Sequence, residues 1–192
     1  MRVIAGSLRG HRLECPSGLA LRPTSDRLKE SLFNILAPCV EGSRFLDLFS
    51  GSGSIGLEAY SRGAGRVVVV EKEASALRCL QGNLKRCRAE EEIFVLAFSV
   101  PLALKKLSGQ GDRFDIIFLD PPYQEDKLYK ETLTGIDCGL LVSPDGMVIA
   151  EHPAKKALPD VCGSLHCYRR HRVGDSCLSF YRLGLDPPST SQ

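Results

Sequence analysis

The stretch from 44 to 71 leaves this chain few folds to choose from. An apolar run over 44–49 leads into Gly51, Gly53 and Gly56, which stand in a Gly-x-Gly-x-x-Gly pattern. A helical segment follows to about Arg62, with Gly63 as its stop. Val67, Val68, Val69 and Val70 then form a second run, closed by Glu71. Four consecutive valines show no polar alternation, so the strand they form is buried on both faces, as in a parallel sheet covered by helices. Glycines at this spacing between a strand and a helix let the backbone approach a ligand. An acid at the end of the next strand can take both hydroxyls of a ribose. A tight turn would also account for the glycines. With strand, helix and Glu71 all in their places, a nucleoside ligand is the better reading.

The same rhythm continues. Leu77, Leu80, Leu84 and Cys87 keep a helical stripe to Arg88, and a third strand is expected at 93–97. A short helix over 100–107 and a fourth strand over 114–119 follow, then a helix over 128–138. Ser143, Pro144, Asp145 and Gly146 read as a turn before a fifth strand at 147–151. Segments at 165–173 and 177–183, joined around Gly174, predict a closing antiparallel hairpin. The fold class is therefore α/β, with a mostly parallel seven-stranded sheet. Upstream, Leu28, Leu32, Ile35 and Leu36 share a helix face; Thr24 or Ser25 can cap that helix, and Pro38 ends it. Residues 1–22 predict a small basic β-hairpin or arm, 23–185 the main domain, and 186–192 a disordered polar tail.

Charge and cysteines narrow the function. A net charge of +2 gives no global argument for nucleic acid. Its distribution does more. Arg2, Arg9, Arg12, Arg22, Arg27 and Lys29 outnumber the acids of 1–30, and Lys155, Lys156, Arg169, Arg170, Arg172 and Arg182 those of 155–182. The two basic ends can form a phosphate-contacting rim or simply be solvated charge. None of the eight cysteines has C-x-x-C spacing, so no zinc site or redox dithiol is expected. With no apolar leader and no run of membrane-span length, the expectation is a cytoplasmic protein with reduced, mostly packed thiols and no membrane partner. Nothing demands more than a monomer.

Two acids speak to chemistry. Asp120, Pro121, Pro122 and Tyr123 follow the fourth strand, and two prolines stop it. This gathers carboxylate and carbonyl acceptors beside an aromatic ring at the edge where open α/β sheets bind ligands. Such a set suits a flat heterocycle with an exocyclic amine, although a plain strand-ending turn has the same residues. Asp47 lies just before the glycines. Its charge would repel a pyrophosphate and favour the cationic ammonium and sulfonium of S-adenosylmethionine over NAD.

These residues resemble the class I, Rossmann-like S-adenosylmethionine-dependent methyltransferases that act on amines. More closely, they resemble the RsmD-like bacterial 16S ribosomal RNA guanine-N2 methyltransferases, over about residues 2–183. The resemblance rests on residues 2–6 with 9–13, on 22–27, on 47–59, on Glu71 and on 120–123. It implies a methyltransferase domain, methylation of one guanine amine in 16S ribosomal RNA, and the assembling 30S subunit as partner. It implies that Asp47, Phe49, Ser50, Gly51, Gly53, Glu71 and Lys72 hold the cofactor. Asp120, Pro121 and Pro122 would hold the guanine amine, with Tyr123 stacked on the base. Arg2, Arg9, Arg12, Arg22, Thr24 and Arg27 would contact RNA. Many relatives place an acid or amide after the third strand to bind adenine; here only Ser99 is offered. The acceptor cluster also suits the N6 amine of adenine in DNA, and an RNA-binding assembly factor could keep the fold without catalysis.

Overall fold

The computed structural model describes residues 1–15, 26–122 and 126–184. The elements run α1 (Asp26–Leu36), β1 (Arg44–Leu48), α2 (Ser54–Ser61), β2 (Arg66–Val70), α3 (Ala74–Cys87), β3 (Ile93–Leu96), α4 (Val100–Gly109), β4 (Phe114–Leu119) and α5 (Asp126–Cys138). They end with β5 (Val142–Pro153), β6 (Val161–Cys162), β7 (Leu165–Val173) and β8 (Ser176–Leu183). The expected caps Thr24 and Ser25, and the tail over 186–192, lie outside the described residues.

The strands form one sheet in the order β3-β2-β1-β4-β5-β8-β7-β6. Pairing from β3 through β5 is parallel, and β8, β7 and β6 add antiparallel strands. The valine run shows why. Val67 and Val69 enter the apolar layer beneath α1, α2 and α3, while Val68 and Val70 enter the layer beneath α4 and α5. The chain winds outward from β1 to β3, then returns to place β4 on the other side of β1. This reversal opens a crevice at the carboxyl ends of β1 and β4, the usual ligand position in such sheets.

Three expectations need correction. The sheet has eight strands, not seven, because Val161 and Cys162 pair back onto His166 and Leu165. A two-residue strand is too short for any periodicity. The expected turn at 143–146 lies inside β5, whose register against β4 jumps from Phe114↔Val142 to Ile116↔Met147. Ser143 is tied there by its hydroxyl, which donates to Asp115 at 2.7 Å and accepts from Arg44 at 2.9 Å. The thiols are also less packed than expected: Cys87, Cys162 and Cys177 are buried, whereas Cys15, Cys39 and Cys138 are exposed.

The N-terminal arm is a minimal hairpin. Val3 and His11, Gly10 and Val3, and Leu13 and Met1 exchange backbone bonds around a single Arg2–Arg12 bridge. Val3 and Leu13 are buried in the layer beneath α1, α2 and α3. Gly6 has φ 83°, and a Cβ there would fall 1.7 Å from the Ser61 carbonyl oxygen, so the close approach of arm to α2 needs glycine. Among the described residues no helix is long and apolar enough to cross a membrane.

Candidate active site

The loop after β1 is built from unusual backbone. Phe49 has φ 64°, Gly51 55° and Gly53 77°. The left-handed conformation costs a residue such as Phe49 about 1–2 kcal/mol, offset here as its side chain packs on the α4/α5 layer and Ser50 N–H bonds the Val70 carbonyl at 2.9 Å. Gly53 opens α2, and a Cβ there would meet Leu80 Cδ1 at 2.2 Å. The space around Gly51 is open. The Ser50 hydroxyl oxygen is buried with no hydrogen-bond partner among the described residues.

Two carboxylates brace this loop. Asp47 is fully buried and accepts the Gly56 N–H at 3.1 Å. Burial pushes its carboxyl up to about 8, opposed by that hydrogen bond and aided by the negative charge of Glu71. Glu71 accepts from Gly51 N at 2.8 Å, Lys72 N at 2.7 Å and Glu73 N at 2.9 Å. It thus clamps the loop and the start of α3 together, with lone pairs to spare for a ribose. Lys72 is exposed and its ammonium lies 3.9 Å from Glu73. Ser99 begins α4 without a side-chain cap bond.

Asp47 should make stability fall with pH. Its folded pKa of about 8 lies above the usual value of 3.8. Between those values the folded chain holds a proton that the unfolded chain has lost, so stability drops as pH rises through this window. Melting temperature of the ligand-free protein is expected to fall by several degrees from about pH 5 to about pH 8. Asp47→Asn, which does not titrate, should reduce that slope to the part contributed by Asp120, and an unchanged slope in that variant would count against the buried Asp47 carboxyl as a cause.

Across the crevice, β4 and β5 run in register with Leu119 beside Ala150, so Asp120 stands next to Glu151. Asp120 is half-buried, Pro121 buried and Pro122 exposed; Tyr123 lies outside the described residues. Glu151 is buried and accepts from the Ser176 hydroxyl at 3.3 Å. Burial, then the charges of Glu151 and Asp47, hold the Asp120 carboxyl well above the usual range. Glu151 was not singled out by the sequence. Its only signal is an acid closing an apolar strand, the same signal that marks Glu71. His152, the next residue, is a satisfied core histidine, bonded to Ser179 Oγ at 2.8 Å and to the Pro153 carbonyl at 3.0 Å.

The arginines divide. Arg9, Arg12 and Arg27 are exposed, and Arg2 is exposed with Asp26 at 3.4 Å. Arg22 and Thr24 lie outside the described residues. Lys29, counted above with the basic N-terminus, is fully buried and faces Glu58, so it contributes nothing to a phosphate rim.

A family model described as "Conserved hypothetical protein 95" matches residues 1–182. Ribosomal RNA small subunit methyltransferase D of Escherichia coli is 31% identical over 182 residues, 95% of this chain and 89% of that protein. The chain belongs to this methyltransferase D family. YlbH of Bacillus subtilis is 38% identical over 95% of this chain and 98% of its own length. The solved structure of yhhF from Escherichia coli superposes with a TM-score of 0.81 at 32% identity, covering 96% of this chain and 98% of that one. The likeness to this solved structure, described as a putative methyltransferase, takes in nearly the whole chain.

Proposed function

We propose that this chain transfers a methyl group from S-adenosylmethionine to the exocyclic N2 amine of a guanine in small-subunit ribosomal RNA. The observation that carries this reading is the acidic crevice. Asp120 and Glu151 stand side by side on adjacent strand ends, opposite the loop braced by Asp47 and Glu71. The name of the Escherichia coli relative supports ribosomal RNA as the substrate class.

The residues fit the cofactor. The buried Ser50 hydroxyl and the open space at Gly51 offer donors and room where Asp47 and Glu71 converge. When bound, S-adenosylmethionine supplies an electrophilic methyl on a cationic sulfonium. Asp47 would face the cationic part, and Glu71 the ribose. Lys72 points to solvent, which leaves its backbone N–H bound to Glu71 as its contribution.

Asp120 and the Pro121 carbonyl would accept the hydrogens of the guanine amine. An aryl amine is a weak nucleophile because its lone pair is delocalised. Acceptors that fix its hydrogens hold the nitrogen toward the methyl and stabilise the charge that grows on it. Transfer would form the N–C bond as the methyl's C–S bond breaks, the electron pair staying on a neutral thioether sulfur, and one N–H proton must then leave. Asp120, in its ionised form, would take it; burial and Glu151 raise its affinity for that proton. Tyr123 follows Pro122 in the chain and would stack on a base that has left its helix. Arg2, Arg9, Arg12 and Arg27, with Arg22 and Thr24, would hold the RNA.

The test is transfer of labelled methyl to under-modified 16S RNA, offered free and in assembled small subunits, with the product nucleoside identified by mass. N2-methylguanosine is the expected product. Label in adenine of DNA, or RNA binding with no transfer in either substrate, would overturn the reading.

A further inference from the structure

The outer hairpin carries a feature that the crevice does not use. Between Cys167 and Arg169 the register of β7 slips: Cys167 lies opposite Tyr181, and Arg169 opposite Phe180. The extra residue is Tyr168. A bulge of this kind leaves two residues facing one partner and re-aims a side chain. Here Tyr168 turns to the α1 side of the sheet. Its ring lies 6.3 Å from that of Phe180, and its hydroxyl is 3.9 Å from Met147 Sδ. It remains 47% exposed.

Two arginines are laid on this aromatic base. The Arg182 guanidinium lies 4.5 Å over the Tyr168 ring, and that of Arg169 5.6 Å over Phe180. Both residues are exposed, and neither has a carboxylate partner among the described residues. Arg44, Arg62, Arg66, Arg86 and Arg170, by contrast, each rest on an Asp or Glu. Stacking holds the plane of a guanidinium and leaves its N–H edge free, which is the geometry that meets a phosphate with two parallel bonds. β8 is antiparallel to β5, with Leu178 beside Glu151. Arg182 therefore lies about 13 Å down the strand axis from Glu151, at 3.2–3.4 Å per residue.

We propose that Tyr168, Arg169 and Arg182 form a second RNA contact, which binds backbone phosphates of the substrate away from the base being methylated. This rests on the reading of the crevice as an RNA methyltransferase site. Unneutralised cations on an aromatic base match a polyanion, and the substrate class supplies one. The crevice selects the base; the platform grips a neighbouring stretch of the folded RNA and sets its approach.

The test compares wild type with Arg169→Gln/Arg182→Gln, using under-modified 16S RNA both free and in assembled subunits. The double variant should lower the slope of log affinity against log salt by about 1 to 2. It should raise KM for RNA about tenfold, with kcat at saturation and cofactor affinity unchanged. Tyr168→Ala should lose less, since it frees Arg182 without removing it. Wild-type affinity and salt slope in the double variant would overturn the platform. So would normal binding to free RNA with a defect confined to assembled subunits, which would place a protein at this face. If the wild type binds RNA but transfers no methyl, the crevice reading fails while the binding comparison still decides the platform.

Discussion

Asp120→Ala is expected to lose methyl transfer by about two to three orders of magnitude, the usual cost of removing one group that stabilises developing charge, while cofactor affinity stays within a few-fold. The separation follows from position. Asp120 faces the crevice from the end of β4, whereas the glycine loop is held by Asp47 and Glu71 through backbone bonds that the substitution leaves in place. Stability gives a second, opposite readout. Asp120 is crowded by Glu151 and Asp47, so removing it relieves repulsion and should leave the melting temperature at neutral pH unchanged or higher. A variant that is inactive because it unfolds would show the reverse. Glu151→Gln then tests the neighbour. Its charge raises Asp120, so its loss should move the acidic-side break of the pH–rate profile, where Asp120 gains the ionised form that accepts the proton, toward lower pH. Transfer by Asp120→Ala at a rate within a few-fold of wild type would remove this carboxylate from the mechanism.

What the sequence made legible was local. Strands at 114–119 and 165–173 were read with the bounds they have, because apolar periodicity and flanking turns fall within one window. Asp47, the glycines and Glu71 were readable for the same reason: strand, loop and helix are contiguous. The segment at 143–146 has genuine turn chemistry, yet β5 carries it through as an irregularity because both flanks are paired to β4 and Ser143 is bonded to Asp115. Glu151 acquires meaning only from the register that sets Leu119 beside Ala150, and no window along the chain encodes that. The platform on β7 depends on a register slip against β8, so its arginines read only as part of a basic run. Lys29 counts with the basic N-terminus because a charge count carries no sign of which member is buried. Its partner, Glu58, lies on a different helix.

That partner underlies the other large effect. Glu58→Ala should destabilise the protein by about 3–5 kcal/mol, the cost of stranding a buried charge. Lys29 and Glu58 are both fully buried, with 3.5 Å between ammonium and carboxylate. Glu58 also accepts from Ile4 N at 2.8 Å, Ala5 N at 3.0 Å and Arg62 Nε at 2.8 Å, while Lys29 donates to the Arg2 carbonyl. One carboxylate thus fastens the arm to α2 and, through Lys29, to α1. Burial lowers the Lys29 pKa and Glu58, more than Asp26, offsets that, so without Glu58 the desolvated ammonium keeps only the weaker pull of Asp26. At roughly 2–4 °C per kcal/mol for a chain of this size, melting temperature should fall by about 10 °C. Lys29→Met/Glu58→Gln, which removes both charges and keeps an acceptor for the arm, should recover much of that loss. The damage should also be local before it is global. Amides of Ile4 and Ala5 should exchange faster than those of β1, and RNA affinity should fall with every arginine intact, because Arg2, Arg9 and Arg12 ride on the arm. An arm that stays protected in Glu58→Ala would mean that Val3, Leu13 and the Ser61 contacts hold it without the ion pair, and the buried charges would then need another explanation.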